Sequence, residues 1–141
     1  MDGTIADLYG VENWLYCLQN GIPHPYMIAK PLLNMSGFAR RLNNLQKKGY
    51  RIAVISCLAK GSSTEYAEMV AQAKMNWLHK HLPSVHWDEI NIVPYGTPKI
   101  NYRHNDLDIL FDDEEGNRNA WGEYAYNETA ISELLKMLKE M

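Results

Sequence analysis

Short apolar runs alternate with amphipathic segments along this chain, and that alternation restricts the folds open to it. "YRIAVIS" (50–56), "INIVPYG" (90–96) and "DILFDDE" (108–114) are short, apolar and partly β-branched, which is typical of buried strands. "EYAYN" (123–127) is a candidate fourth, short edge strand. Strands that alternate with helices predict an α/β domain with a parallel sheet.

Helical spacing of apolar residues marks the segments between these strands. Four segments show it, namely 10–20, 35–48, about 64–81 and 131–138. Asn34 or Ser36 is a candidate N-cap of the second segment. Ser62 or Ser63 is a candidate N-cap of the third, which is expected to bury Met69, Val70, Ala73, Trp77 and Leu78. Residues 21–31 contain three prolines, so we expect a surface loop there.

The length favours a single domain spanning residues 1–141. The net charge of −3 gives no electrostatic case for strong nucleic-acid binding or for membrane binding. No apolar run approaches the roughly 18 residues of a membrane span, and no secretory signal is evident. The two cysteines, Cys17 and Cys57, lie far apart, so a reducing cytoplasm is the expected location.

An acidic pair follows the third predicted strand, at the edge of a parallel sheet where ligands bind. Asp112 and Asp113 are adjacent carboxylates, which are costly unless a cation or hydrogen bonds compensate them. Mg²⁺ suits this setting because it prefers oxygen and is often held by one or two carboxylates plus phosphate and water. The alternative is a solvated acidic loop.

Three other features follow strand ends or begin the chain. Ser56 ends the first predicted strand, where its hydroxyl and the next backbone N–H groups suit a phosphate oxygen. Lys99 lies just past the second strand, where a lysine neutralises phosphate or pairs with a carboxylate. Asp2 offers a carboxylate for proton transfer, and Gly3 permits a tight turn. Each residue taken alone also fits an ordinary loop, cap or turn.

Taken in order, "MDGTIAD", "AVIS", "PK" and "ILFDDE" resemble the four motifs of the haloacid dehalogenase-like superfamily of phosphohydrolases. Within that superfamily the chain resembles small 5′-nucleotidase and deoxyribonucleotidase members, including phage-type ones. The motifs run from residue 1 to about 115. The resemblance implies a Rossmann-like parallel sheet flanked by helices and an Mg²⁺-dependent phosphomonoester hydrolase that forms an aspartyl-phosphate.

The resemblance also implies a role for each matching residue. Asp2 is then the general acid and base, and its backbone carbonyl is a ligand of Mg²⁺. Ser56 and the N–H of Cys57 hold the phosphoryl group, and Lys99 stabilises the negative charge of nucleophile and phosphate. Asp112 and Asp113 bind Mg²⁺ directly or through water. Such chemistry relies on positioning and charge neutralisation.

One position departs from the motif. Met1 falls on its variable middle position, so the nucleophilic aspartate is expected immediately before Met1, at the end of a central strand. Two explanations stay open: an N-terminally shortened version of an intact enzyme, or a non-catalytic phosphate- or nucleotide-binding or regulatory protein. On either explanation this 141-residue chain is expected to be inactive as written.

Residues 8–34 occupy the place where this family inserts a cap over the site, and here the insertion is short. Trp14 and Tyr26, with Tyr16 and Met27, are candidates for an apolar wall against a nucleobase. The alternative is that they pack the cap onto the core. The expected partner is a small phosphorylated substrate, with a nucleoside monophosphate favoured over sugar phosphates or a phosphorylated polynucleotide end.

Overall fold

The computed structural model describes residues 1–141 and shows a mixed α/β chain. Its helices are α1 Trp14–Gln19, α2 His24–Ile28, α3 Met35–Lys47, α4 Thr64–His81, α5 Glu115–Trp121 and α6 Ile131–Glu140. Its strands are β1 Ala6–Asp7, β2 Lys30–Pro31, β3 Ala53–Cys57, β4 Glu89–Val93, β5 Leu110–Phe111 and β6 Ala125–Tyr126. The four strands predicted from apolar runs are therefore all present, each shorter than or displaced from its predicted range.

The strands form three two-stranded sheets and not the single parallel sheet that we expected. The strands β3 and β4 pair in parallel, with Ser56 opposite Ile92, and β5 and β6 also pair in parallel. The strands β1 and β2 form a small antiparallel pair. No strand among residues 1–141 pairs with both β3 and β5, so the two parallel pairs stay separate.

Helices cover these sheets and complete the core. A cluster of 15 buried residues joins α3, α4, α6 and β3, and Leu45, Trp77 and Leu78 are among its most enclosed members. A smaller cluster packs Leu8 and Tyr26 against α4. The main core therefore lies between β3 and the long helices α3, α4 and α6, as the alternating pattern of apolar segments predicts.

The long helices begin where the sequence indicates. The side chain of Ser63 accepts a hydrogen bond from the backbone N–H of Tyr66 at 3.1 Å, which caps α4. Asn34 caps α3 in the same way, through the N–H of Gly37 at 2.9 Å. The prediction that α4 buries Met69 is wrong, because this side chain is 40% exposed while Tyr66 lies in the core.

Two short helices were not predicted. The helix α2 forms inside the proline-rich stretch that we expected to be a surface loop. Its prolines, Pro23 and Pro25, stand at its N-terminal end, where the missing N–H of proline costs no helical hydrogen bond. The helix α5 follows the acidic pair directly, in a stretch that carries no clear apolar period.

None of the helices combines the length and the apolar character that a membrane-spanning helix needs. Both cysteines are free thiols and half-buried.

Candidate functional site

Three segments bring the residues that we singled out toward one side of the parallel pairs. Ser56 lies next to the carboxyl end of β3, and Asp112 follows the last residue of β5 directly. Lys99 begins a 3₁₀ helix, Lys99–Tyr102, in the connection that leaves β4. Each of these residues stands at or after the end of a parallel strand, which is where α/β proteins bind ligands, and the side chains of Lys99 and Asp112 contact each other there.

A buried lysine joins Asp2 to Ser56. The Nζ of Lys74 lies 3.1 Å from Oδ2 of Asp2 and donates a 2.7 Å hydrogen bond to Oγ of Ser56. It also donates to the carbonyl oxygen of Cys57 at 2.9 Å. Lys74 has no exposed surface, whereas 16% of the Asp2 side chain is exposed. The ammonium is therefore surrounded by three oxygen partners, and a buried cation needs such partners.

Lys74 was missed in the sequence analysis. It lies on the core-facing side of α4, four residues after Val70 and four before Leu78, and both of these are buried. A lysine in the apolar stripe of an amphipathic helix is a signal that the sequence contained, because lysine is almost never fully buried unless it is paired. Its partners, however, come from distant parts of the chain.

A second lysine neutralises the first aspartate of the acidic pair. The Nζ of Lys99 lies 2.6 Å from Oδ2 of Asp112, and both side chains are nearly buried. The backbone N–H of Glu114 donates to the other carboxylate oxygen at 2.9 Å. Burial by itself raises the pKa of the Asp112 carboxyl, but the hydrogen bonds from Lys99 and Glu114 outweigh it and hold the pKa below its ordinary value.

Asp113 has the opposite electrostatic setting. Its Oδ1 accepts a hydrogen bond from the Thr4 hydroxyl at 3.2 Å, and no lysine or arginine pairs with it. Burial, reinforced by the neighbouring charge of Asp112, raises the pKa of the Asp113 carboxyl above its ordinary value. Asp113 is thus a half-buried carboxylate without a lysine or arginine partner, and the N-terminal ammonium of Met1 offsets its charge only in part.

The N-terminal turn connects the two lysine-centred groups. The carbonyl oxygen of Met1 accepts hydrogen bonds from the N–H groups of residues 4–6 at 2.9–3.2 Å, which closes a tight turn. Gly3 has φ of 75°, and a Cβ at this position would lie 2.2 Å from Oδ2 of Asp113. Only glycine fits at this position, because it has no side chain. The tight turn can therefore bring Asp2 next to Lys74 and Thr4 next to Asp113.

The donor set is compatible with a hard divalent cation. Asp112 and Asp113 supply carboxylate oxygens, and Oδ2 of Asp113 accepts no hydrogen bond from the chain. Two carboxylates with phosphate and water as further ligands suit Mg²⁺. No group of three or more histidine, cysteine, aspartate or glutamate side chains is arranged around a common metal position, so the chain does not offer a complete cage.

The aromatic residues of the cap take two different positions. The ring of Trp14 meets that of Tyr9 edge-on at 4.9 Å between centroids, and the Tyr9 ring lies against Gly3. Burial, with the nearby charge of Asp113, raises the pKa of Tyr9 to about 12. Trp14 is therefore one ring away from the acidic pair and half-buried, so its assignment as a substrate contact stays a prediction.

Tyr26, in contrast, lies in the core. It is 6% exposed, and the ammonium of Lys74 lies 5.3 Å from the centre of its ring. Burial and the charge of Asp2 raise its pKa. This position favours the alternative in which Tyr26 packs the cap onto the core, and it adds a cation–π contact to the surroundings of Lys74.

The chain was compared with protein-family models, with curated proteins and with solved structures, and none of these comparisons found a match.

Proposed function

We propose that this chain forms the phosphate- and metal-binding site of an Mg²⁺-dependent phosphomonoester hydrolase of the haloacid dehalogenase-like type, with a nucleoside monophosphate as the favoured substrate. One observation carries the proposal: Asp2, Ser56 and Lys74 form one hydrogen-bonded and ion-paired group, and Thr4 of the same N-terminal turn donates a hydrogen bond to Asp113, next to the Lys99–Asp112 pair. Residues from five separate parts of the chain thereby meet where parallel strands end.

Each group has a task in this proposal. Ser56 and the N–H of Cys57 hold oxygens of the phosphoryl group, and Lys99 neutralises its charge. Asp2, which keeps part of its carboxylate exposed, gives a proton to the leaving group and later takes one from water. Lys74 is a positioning residue that orients Asp2 and Ser56. Bound Mg²⁺ supplies further charge neutralisation beside Asp112 and Asp113.

The proposal assigns the attacking carboxylate to the residue immediately before Met1. The test is to express the chain together with the codons that precede its first codon and to measure phosphate release from nucleoside monophosphates. We expect release that requires Mg²⁺. Asp2→Asn should lower kcat by about 10²–10⁴-fold, the range for losing a general acid–base group. Asp106→Asn is the matched control, because the Asp106 side chain is 96% exposed and pairs only with Arg103.

The same experiment separates the alternative function. Binding of nucleotide or phosphate without turnover in the extended chain would favour a non-catalytic binding or regulatory protein. Absence of both binding and release for every phosphomonoester tested, with a folded protein, would refute the proposal.

A further inference from the structure

A cavity between α3 and α6 collects four positive side chains. It has a volume of about 270 Å³, and no hydrophobic residue lines it. Its walls are Arg40, Arg41 and Asn44 of α3 and Lys136, Lys139 and Glu140 of α6. None of these residues belongs to the candidate functional site, and the chain as a whole is acidic, with a net charge of −3.

The cations around this cavity have no partners in the chain. Neither arginine nor either lysine forms an ion pair, whereas five other basic side chains of the protein do. Glu140 is the single carboxylate in the lining. Positive charges that face each other across two packed helices repel and so disfavour the packing. A bound anion would offset this repulsion.

The two helices are held in a fixed relation at this point. Their apolar stripes pack together through Leu42 and Leu45 of α3 and Leu135 of α6. Beside the cavity, the Nζ of Lys48 donates hydrogen bonds to the carbonyl oxygens of Leu138 at 3.3 Å and Lys139 at 2.8 Å. The last turn of α6 is thus attached to the end of α3, which fixes the backbone that carries Lys136 and Lys139 before any ligand binds.

We propose that this cavity binds a linear oligophosphate group, as in inorganic tripolyphosphate or the phosphate chain of a nucleoside triphosphate. Four cations and one carboxylate match a ligand with several negative charges, and arginine and lysine are the donors that bind phosphate oxygens. The volume equals that of about nine waters at ~30 Å³ each, which is the scale of a short phosphate chain.

The lining argues against a nucleoside or a polynucleotide. It contains no aromatic or aliphatic side chain on which a base would stack. The basic residues surround a concavity and do not extend as a stripe, and the net charge of the protein opposes long polyanions. The recognition element is therefore the phosphate chain alone.

The test is an NMR titration of the isotope-labelled 141-residue protein with tripolyphosphate at low salt and in the presence of a chelator. We expect saturable shifts of amide signals in α3 and α6. Arg41→Gln combined with Lys136→Gln should weaken binding at least tenfold. The matched control, Lys30→Gln combined with Lys80→Gln, removes the same charge from exposed positions elsewhere and should change the affinity less than twofold.

Two further arms identify the ligand chemistry. Glu140→Gln should tighten tripolyphosphate binding, because it removes the only negative charge of the lining. ATP should bind about as tightly as tripolyphosphate, and AMP should not shift α3 or α6. A single-stranded oligonucleotide that binds more tightly than tripolyphosphate would overturn the proposed occupant. Three outcomes would overturn the site. Both double variants would weaken tripolyphosphate binding equally, the amide shifts would be confined to the surroundings of Ser56, or the Kd would be weaker than about 10 mM.

Discussion

Replacement of Lys74 by methionine is the most direct perturbation of the candidate functional site. Methionine keeps most of the aliphatic stem of the lysine but removes the ammonium. Three oxygens then lose their partner: the carboxylate of Asp2, the hydroxyl of Ser56 and the carbonyl of Cys57. Ser56 is 2% exposed, so water cannot simply replace the lost hydrogen bond.

The expected cost follows from these contacts. Removal of one partner of a buried ion pair costs about 3–5 kcal/mol, because the other charge stays behind without compensation. Asp2 retains 16% exposure and regains part of its hydration, which reduces the cost at that end. Loss of the two further hydrogen bonds acts in the opposite direction, at about 1–3 kcal/mol for each buried group left unsatisfied. We therefore expect Lys74→Met to lower the free energy of unfolding by at least about 3 kcal/mol.

Urea unfolding followed by circular dichroism measures this change directly. Lys80→Met is the matched control, since Lys80 is exposed on the same helix and should change the free energy by less than about 0.5 kcal/mol. The double variant Asp2→Asn with Lys74→Met completes a cycle in which we expect a coupling of about 1–3 kcal/mol. A Lys74→Met protein as stable as wild type would show that the ion pair contributes nothing, and our account of the site would then be wrong.

Three further predictions concern the neighbouring groups. Gly3→Ala should lower stability by about 1–3 kcal/mol, since φ of 75° and the contact with Asp113 exclude a Cβ, whereas Gly116→Ala in α5 meets no neighbour and should not. Because the pKa of the Asp112 carboxyl is lowered in the folded state, its ionised form stabilises the fold above about pH 4, and this stabilisation is lost as the pH falls. Wild type should therefore unfold with a higher free energy than Lys99→Met at neutral pH, and this difference should shrink when both are measured at decreasing pH. Mg²⁺ should stabilise the folded protein at neutral pH by about 2.7 kcal/mol at a hundredfold excess over Kd. This stabilisation should be visible as a higher melting temperature, and Asp113→Asn should abolish it.

The long helices could be predicted because their signals are local. The boundaries of α4 follow from Ser63 and from a stripe of apolar residues that repeats through the whole segment, so sequence and structure agree on Thr64–His81. The helix α6 follows from Ile131, Leu135 and Leu138 in the same way. The short helices α2 and α5 contain only 5 and 7 residues. Segments of at most about two turns are too short for apolar residues to repeat at helical spacing, so the sequence does not indicate them.

Sheet pairing and the contacts of Lys74 could not be predicted, because they depend on segments distant in sequence. Each apolar run indicates a strand, but nothing within a run states which strand is its neighbour, and the expected single sheet is divided into separate pairs. Lys74 is 72 residues from Asp2 in the chain, so its burial on α4 is visible in the sequence while its partner is not. The prediction of Asp112 depended only on its position after a strand, which the structure retains.

The charges of the candidate site lead to a final prediction about cooperativity. Lys74 pairs with Asp2, and Lys99 pairs with Asp112, which leaves Asp113 without a lysine or arginine partner. A phosphate dianion alone would add negative charge beside Asp113, whereas Mg²⁺ bound there offsets the charge of the phosphate. We therefore expect each ligand to strengthen binding of the other, by the same factor in both directions. Phosphate titrations by calorimetry with and without Mg²⁺ measure that factor, Asp113→Asn should reduce it, and equal phosphate affinity under the two conditions would contradict the assignment of Asp113 to the metal.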